Sequence, residues 1–205
     1  MSEILCFGDS NTWGFNPSTR GRYPRHIRWT GVLARELGPG HHVIEEGLNG
    51  RTTVFDDPIE THRRGRDYLI PCLRSHAPLD LVIIMLGTND VKLRFSAPAY
   101  DIAKGMSALV GIIKQAAPQV LLMSPPPLAK LTEFAEQFEG GTEKSKRLAG
   151  YYSGVAAEFA CHFLDAGEFI ISSDVDGLHF DAPEHAKLGM AVAAKVRSLG
   201  LRSQG

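Results

Sequence analysis

A serine hydroxyl at the end of a short apolar run is the first group in this chain placed to do chemistry. Ile4-Leu5-Cys6-Phe7 reads as a strand, and Gly8-Asp9-Ser10 follows it directly. In an open α/β sheet, ligands bind outside the carboxyl ends of the strands. Gly, Asp and Ser are also ordinary turn formers, so the tripeptide carries weight only with company. Three further groups that acyl transfer needs occur in order: Gly50, the run Gly87-Thr88-Asn89-Asp90, and Asp176-Gly177-Leu178-His179. A serine becomes a good nucleophile near neutral pH when a base takes its proton, and imidazole has the right intrinsic pKa. Among eight histidines, His179 is the best placed, in a loop directly before a capped helix. Asp176, three residues earlier, can accept from Nδ1 while Nε2 faces Ser10, which fixes the tautomer and stabilises the imidazolium. Asp174 and Asp181 compete as the acid, and Asp181 is better explained as a helix cap.

Attack on an ester carbonyl creates an oxyanion, which needs donors already aimed at it. The backbone N–H groups of Ser10 and Gly50 and the side-chain amide of Asn89 can converge from successive strand ends. Taken singly, Gly50 is a positive-φ turn residue and Asn89 an Asx turn; their occurrence together with an Asp-x-x-His pair favours a site. The chain contains no Gly-x-Ser-x-Gly elbow. Walker A, Gly-x-Gly-x-x-Gly and His-Glu-x-x-His patterns are also missing. His41-His42 is no metal signal, because adjacent strand residues point to opposite faces. Cys6, Cys72 and Cys161 are odd in number and far apart, unlike a disulfide framework or a zinc site. Reduced thiols are expected, with Cys6 and Cys161 in core strands, and no cofactor or metal is expected.

The elements that must position these groups are legible in the hydropathy pattern. A chain of 205 residues, 43% hydrophobic and 22% charged, suits one domain spanning residues 1–205. Net charge is -1 without like-charge blocks, so nucleic-acid and membrane-surface partners are not expected and a small molecule is. No signal-peptide pattern or spanning run is visible, and a soluble, cytoplasmic protein is expected. Apolar runs at Ile4–Phe7, His42–Glu46, Leu81–Leu86, Val120–Ser124 and His162–Leu164 alternate with helical stretches. The predicted helices cover roughly His26–Leu37, Asp67–Ser75, Ala99–Ala116, Thr142–Phe159 and Pro183–Leu199. Asp181 and Glu184 are spaced as a capping box for the last of these. Such alternation predicts a three-layer α/β/α domain of flavodoxin-like type with a five-stranded parallel sheet. Loops Asn16–Arg25, Arg51–Arg66 and Pro125–Gly141 each follow a strand-end motif and are expected to wall the pocket. Phe134 and Phe138, four apart, would share a helix face and could overhang it.

Together the four blocks resemble the SGNH (GDSL-type) hydrolase family, here through Ser10, Gly50, Asn89 and His179. The resemblance spans nearly the whole chain. Segments Arg28–Leu33, Val43–Leu48, Pro78–Asp90 and Phe138–Gly141 are further similar to the family's aryl esterase branch. It implies a cofactor-free serine esterase acting on short aryl or alkyl acyl esters through an acyl-enzyme, with transfer to alcohols or hydrogen peroxide competing with hydrolysis. A homo-oligomer whose neighbouring subunits narrow the channel is also implied. The candidate pocket comprises Asn11, Phe15, Thr88, Lys92, Phe134, Phe138 and Leu178; Asn11 and Phe15 stand where that branch has leucine and tryptophan. Carbohydrate O-deacetylation and lysophospholipase-like activity use the same groups and remain open. A catalytically dead flavodoxin-like binding protein is the alternative from a different class.

Overall fold

A computed structural model describes residues 1–201. Five strands, β1 (Ser2–Gly8), β2 (His41–Gly47), β3 (Leu81–Met85), β4 (Gln119–Ser124) and β5 (His162–Asp165), form one parallel sheet in the order β2-β1-β3-β4-β5. Every residue of β3 is buried, as the unbroken apolar run Leu81–Met85 requires of a strand covered on both faces. Alternation then divides its side chains. Val82 and Ile84 join a core with Leu5 and Phe7, while Leu81, Ile83 and Met85 join the other with Ile4 and Cys6. Each such aliphatic side chain, fully withdrawn from water, contributes about 1.5–3 kcal/mol.

Helices α3 (Gly65–Ser75), α4 (Ala99–Ile113) and α6 (Leu148–Glu158) cover the first face, and α2 (Trp29–Leu37) and α7 (Ala182–Ser198) cover the second. Two short helices complete the chain, α1 (Ser10–Trp13) and α5 (Gly141–Ser145). The arrangement is the expected single-domain α/β/α sandwich, and none of the described helices is long and apolar enough to cross a membrane.

Several boundaries differ from the sequence expectation for local reasons. The helix expected over Thr142–Phe159 is broken into α5 and α6. Ser145 Oγ donates to Thr142 O at 2.7 Å and accepts from Leu128 N at 2.9 Å, a back-bonding serine of the kind that bends helices. Residues 25–27 form a turn after Pro24 and Arg28 takes the cap position, so α2 begins at Trp29. The capping box of α7 is not made. Asp181 occupies the cap position without a side-chain cap bond, and Glu184 instead accepts from Ile171 N at 3.1 Å and from Lys187 Nζ. Cys6 is buried in β1 as expected, but Cys161 precedes β5 and is only half-buried.

His185 joins the two helices of the second face. Its Nδ1 accepts from Trp29 N at 3.3 Å, and its ring sits between those of Tyr23 and Phe180. Burial, with the nearby charges of His179 and Arg28, pushes its pKa down to about 3. A folded-state value below the unfolded one means that its neutral form contributes fully above about pH 6.5, and that this contribution is lost as pH falls from there toward 3. The ring signals of His185 are therefore expected to stay unchanged in an NMR titration from pH 8 to about 4. A midpoint in the ordinary histidine range would contradict this.

Candidate active site

Sheet order reverses direction between β1 and β3, and in flavodoxin-like sheets ligands bind at that switch point. Ser10 follows the end of β1 and Asn89 the end of β3. Gly8 ends β1 where backbones crowd: an added Cβ would meet Thr12 Oγ1 at 2.1 Å and Met85 O at 2.9 Å. Only glycine lets the chain turn there into α1. Asp9 then caps α1 by accepting from Asn11 N at 2.9 Å, which sets Ser10 at its first position.

His179 arrives from the loop between β5 and α7. Its Nδ1 donates to Asp176 Oδ2 at 2.6 Å, and its Nε2 accepts from Ser10 Oγ at 2.9 Å. Asp176 Oδ1 accepts from the backbone N–H of Leu178 at 2.9 Å and of His179 at 3.0 Å, so one carboxylate holds both the ring and the loop that carries it. Burial raises the Asp176 pKa, but the hydrogen bonds and charge of His179 outweigh it and the net value is lowered. Asp174, the competing acid, is exposed to solvent.

On the other side of Ser10, Gly50 has φ 77°, a conformation that glycine adopts without strain. Asn89 Nδ2 donates one hydrogen to Arg51 O at 3.1 Å, which leaves its second available to a ligand. Asp90 faces away, accepting from Thr53 N at 2.9 Å and from Thr53 Oγ1. Burial pushes the carboxyls of Asp9 and Asp90 up to about 6, against the hydrogen bonds they accept.

A cavity of about 160 Å³ opens over these groups, lined by Ser10, Gly50, Asn89 and His179 together with apolar and polar side chains. Phe15, Phe134, Phe138 and Leu178 make the apolar part, and the Phe15 ring lies against His179, tilted by 35° with centroids 4.1 Å apart. Thr88, Lys92, Asn49, Glu60 and Gln137 make the polar one. Lys92 Nζ donates to Glu60 Oε1 at 3.1 Å; burial lowers the amine's pKa and Glu60 partly restores it. Phe134 and Phe138 lie in a run of turns rather than a regular helix. Phe138 N still donates to Phe134 O at 3.0 Å, so the two rings meet with centroids 6.3 Å apart.

Two sequence expectations are corrected here. Asn11 does not line the cavity: it is buried, and its Nδ2 donates to Leu178 O at 3.3 Å. It thereby ties α1 to the histidine loop. The loop Asn16–Arg25 also supplies no lining residue; it packs outside the wall, where Arg20 pairs with Glu133. The loops Arg51–Arg66 and Pro125–Gly141 reach the cavity through Glu60 and through Phe134, Gln137 and Phe138, but nothing in the sequence singles out Asn49, Glu60 or Gln137 within its segment, because folding sets which side chains face Ser10.

A larger cavity of about 860 Å³ lies beside β2 and the start of α3, lined by residues that include Arg51, Asp57, Arg64 and Tyr68, but it contains neither Ser10 nor His179. Near it, Glu46, Cys72 and His76 bring potential metal-ligating atoms within 4.8 Å of one another. There His76 Nε2 already makes a hydrogen bond with Glu46 Oε1 at 2.9 Å.

The fold and this constellation define a class. The chain belongs to the GDSL-like lipase/acylhydrolase family, whose model matches residues 6–187, and is a carboxylic ester hydrolase of SGNH type. Among solved structures, a carbohydrate acetylesterase from Sinorhizobium meliloti is similar at 46% identity over 97% of this chain and 100% of that one, with a TM-score of 0.95. The M. smegmatis aryl esterase, native and inhibitor-bound, is similar at 47% identity with the same coverage and TM-score. No match is found among curated proteins.

Proposed function

We propose that Ser10 is the nucleophile, His179 the general base and acid, and Asp176 the group that orients and stabilises the imidazolium. The reading rests above all on the continuous hydrogen-bond chain from Ser10 Oγ through His179 to Asp176 at 2.9 and 2.6 Å. As Oγ attacks the ester carbonyl, its proton passes to Nε2, and the oxyanion is received by the N–H groups of Ser10 and Gly50 and by the free Asn89 amide hydrogen. Collapse expels the alcohol, protonated by His179, and leaves an acyl-serine. His179 then activates the next nucleophile, which is water, an alcohol or hydrogen peroxide.

The substrate class follows from the cavity. Its volume of about 160 Å³ is close to that of cavities that accept a benzene-sized ligand, which suits acyl chains of a few carbons. The apolar wall over His179 favours an aryl or benzyl group and supports acyl transfer beside hydrolysis. A second reading is favoured by the polar part of the lining: Asn49, Glu60, Lys92 and Gln137 offer the donors and acceptors that a sugar's hydroxyls need, and one similar structure is a carbohydrate acetylesterase. The proposed setting is the cytoplasm, supported by three free cysteines. The proposed assembly is a homo-oligomer, supported by the exposed apolar side chains of Phe169, Ile171 and Val175 on the segment leading to Asp176.

Product partitioning tests the reading. With a vinyl or p-nitrophenyl acetate donor in aqueous buffer, rising benzyl alcohol is expected to divert acetyl groups into benzyl acetate, and long-chain esters are expected to react far more slowly than acetate. If no benzyl ester forms while acetate release is unchanged, acyl transfer is lost from the proposal. Faster turnover of an acetylated sugar than of the aryl ester would favour the second reading.

A further inference from the structure

Arg51 is not in contact with the cavity over Ser10, yet it is tied to the support of every oxyanion donor. It is only 2% exposed. One guanidinium nitrogen, Nη1, donates to Gly8 O at 2.8 Å and to Glu46 O, bridging the ends of β1 and β2. Gly8 leads through Asp9 to Ser10. The guanidinium lies over the ring of Phe7, 4.1 Å from its centroid, with Tyr68 at 5.3 Å, so its plane is held from the sides as well. The backbone of the same residue follows Gly50 directly, and its carbonyl accepts from Asn89 Nδ2. The next turn of chain is anchored from β3, through Thr53 on Asp90.

We propose that Arg51 is the positioning residue of the oxyanion hole, setting the Gly50 N–H in register with Ser10 and Asn89 through its bridge to Gly8 and Glu46. The three donors come from three strand ends with no direct bond between them, and a donor displaced by a fraction of an ångström from the developing charge loses its effect. Without the guanidinium, the segment after Gly50 stays attached to β3 through Asn89 and Asp90, and its tie to β1 is reduced to the backbone bond from Leu48 N to Gly8 O at 3.1 Å. Gly50 then drifts relative to Ser10, while the Ser10–His179–Asp176 chain, which Arg51 does not touch, stays intact. The expected signature is a loss confined to the transition state.

This inference rests on the roles proposed for Ser10, Gly50 and Asn89, and its test separates the two. Arg51→Met keeps an apolar chain against Phe7 and Tyr68 but removes the donors; Arg51→Lys restores a charge and donors. With p-nitrophenyl acetate, Arg51→Met is expected to lower kcat about 10²-fold, the cost of one misplaced donor, with KM within about twofold. The low-field proton signal of His179 Nδ1–H should be unchanged, and Arg51→Lys should recover kcat only in part, to about a tenth of the wild-type value. A kcat within about threefold of wild type in Arg51→Met overturns the proposal. So does a loss accompanied by disappearance of the His179 signal or by raised KM, since Arg51 would then support the fold or bind ground-state substrate. If Arg51→Met does not fold, Arg51→Lys decides alone: full activity or a KM effect overturns the proposal, and a reduced kcat at unchanged KM and His179 signal upholds it. Ser10→Ala as a parallel control isolates the underlying reading, which fails if that variant hydrolyses the ester, whatever the Arg51 variants do.

Discussion

Ser10→Ala is expected to lower kcat for p-nitrophenyl acetate by about 10⁶-fold, leaving only the catalysis that ester binding and the oxyanion donors supply. Loss of Oγ removes the sole bond-forming atom of the proposed mechanism. It also breaks one hydrogen bond, to His179 Nε2, and creates no cavity larger than a hydroxyl, so thermal stability should change little. Covalent labelling gives an independent measure. An organophosphonate is expected to modify the wild-type chain once, at Ser10, as mass spectrometry of peptides would show, and to leave Ser10→Ala unmodified. Stoichiometric label on another buried serine, such as Ser124 or Ser145, would sink the assignment.

His179→Ala is expected to be about as damaging as the serine change, because nucleophile and base act as a unit, whereas Asp176→Asn should cost about 10⁴-fold. The difference has a structural basis. In Asp176→Asn the side-chain oxygen could stay on the backbone N–H groups of Leu178 and His179, from which Asp176 Oδ1 accepts at 2.9 and 3.0 Å, so the loop should hold. The new amide nitrogen would then face His179 Nδ1 where a carboxylate oxygen belongs, and the imidazole would take the wrong tautomer. Exposed Asp174 provides the contrast, since Asp174→Asn should leave kcat within about twofold of wild type on this account. Near-normal turnover in His179→Ala, or a larger effect at Asp174 than at Asp176, would show that base and acid are misassigned.

The site's skeleton is legible in the sequence because each part announces itself locally. Ile4–Phe7 and Leu81–Leu86 are strands by composition, and a polar residue just past such a run stands at a sheet's carboxyl edge. Asp176 and His179 are three apart, close enough for a turn to bring carboxylate and imidazole together without help from the rest of the chain. Local reasoning fails where a side chain has a choice of partner. Glu184 is spaced for a capping box, but Ile171 N competes for its carboxylate and wins. Thr142–Phe159 has helical composition, yet Ser145 is drawn to Leu128 N from a distant segment and the helix breaks. Asn11 follows Ser10, the proposed nucleophile, a position that suggests a pocket residue, but its amide turns inward to Leu178 O.

By itself the sequence determined the alternation of strand and helix, the parallel sheet, and the residue types at its carboxyl edge, because these depend on hydropathy period and on neighbours a few positions apart. Only the tertiary structure decided which surfaces face Ser10. Glu60 and Lys92 are 32 residues apart, and Arg51 spans from Gly8, 43 residues away, to the amide of Asn89, 38 residues in the other direction. Contacts of that separation leave no periodic trace in the chain. They exist because the sheet brings the ends of β1, β2 and β3 side by side, and the loops leaving those ends must satisfy their buried polar groups on one another.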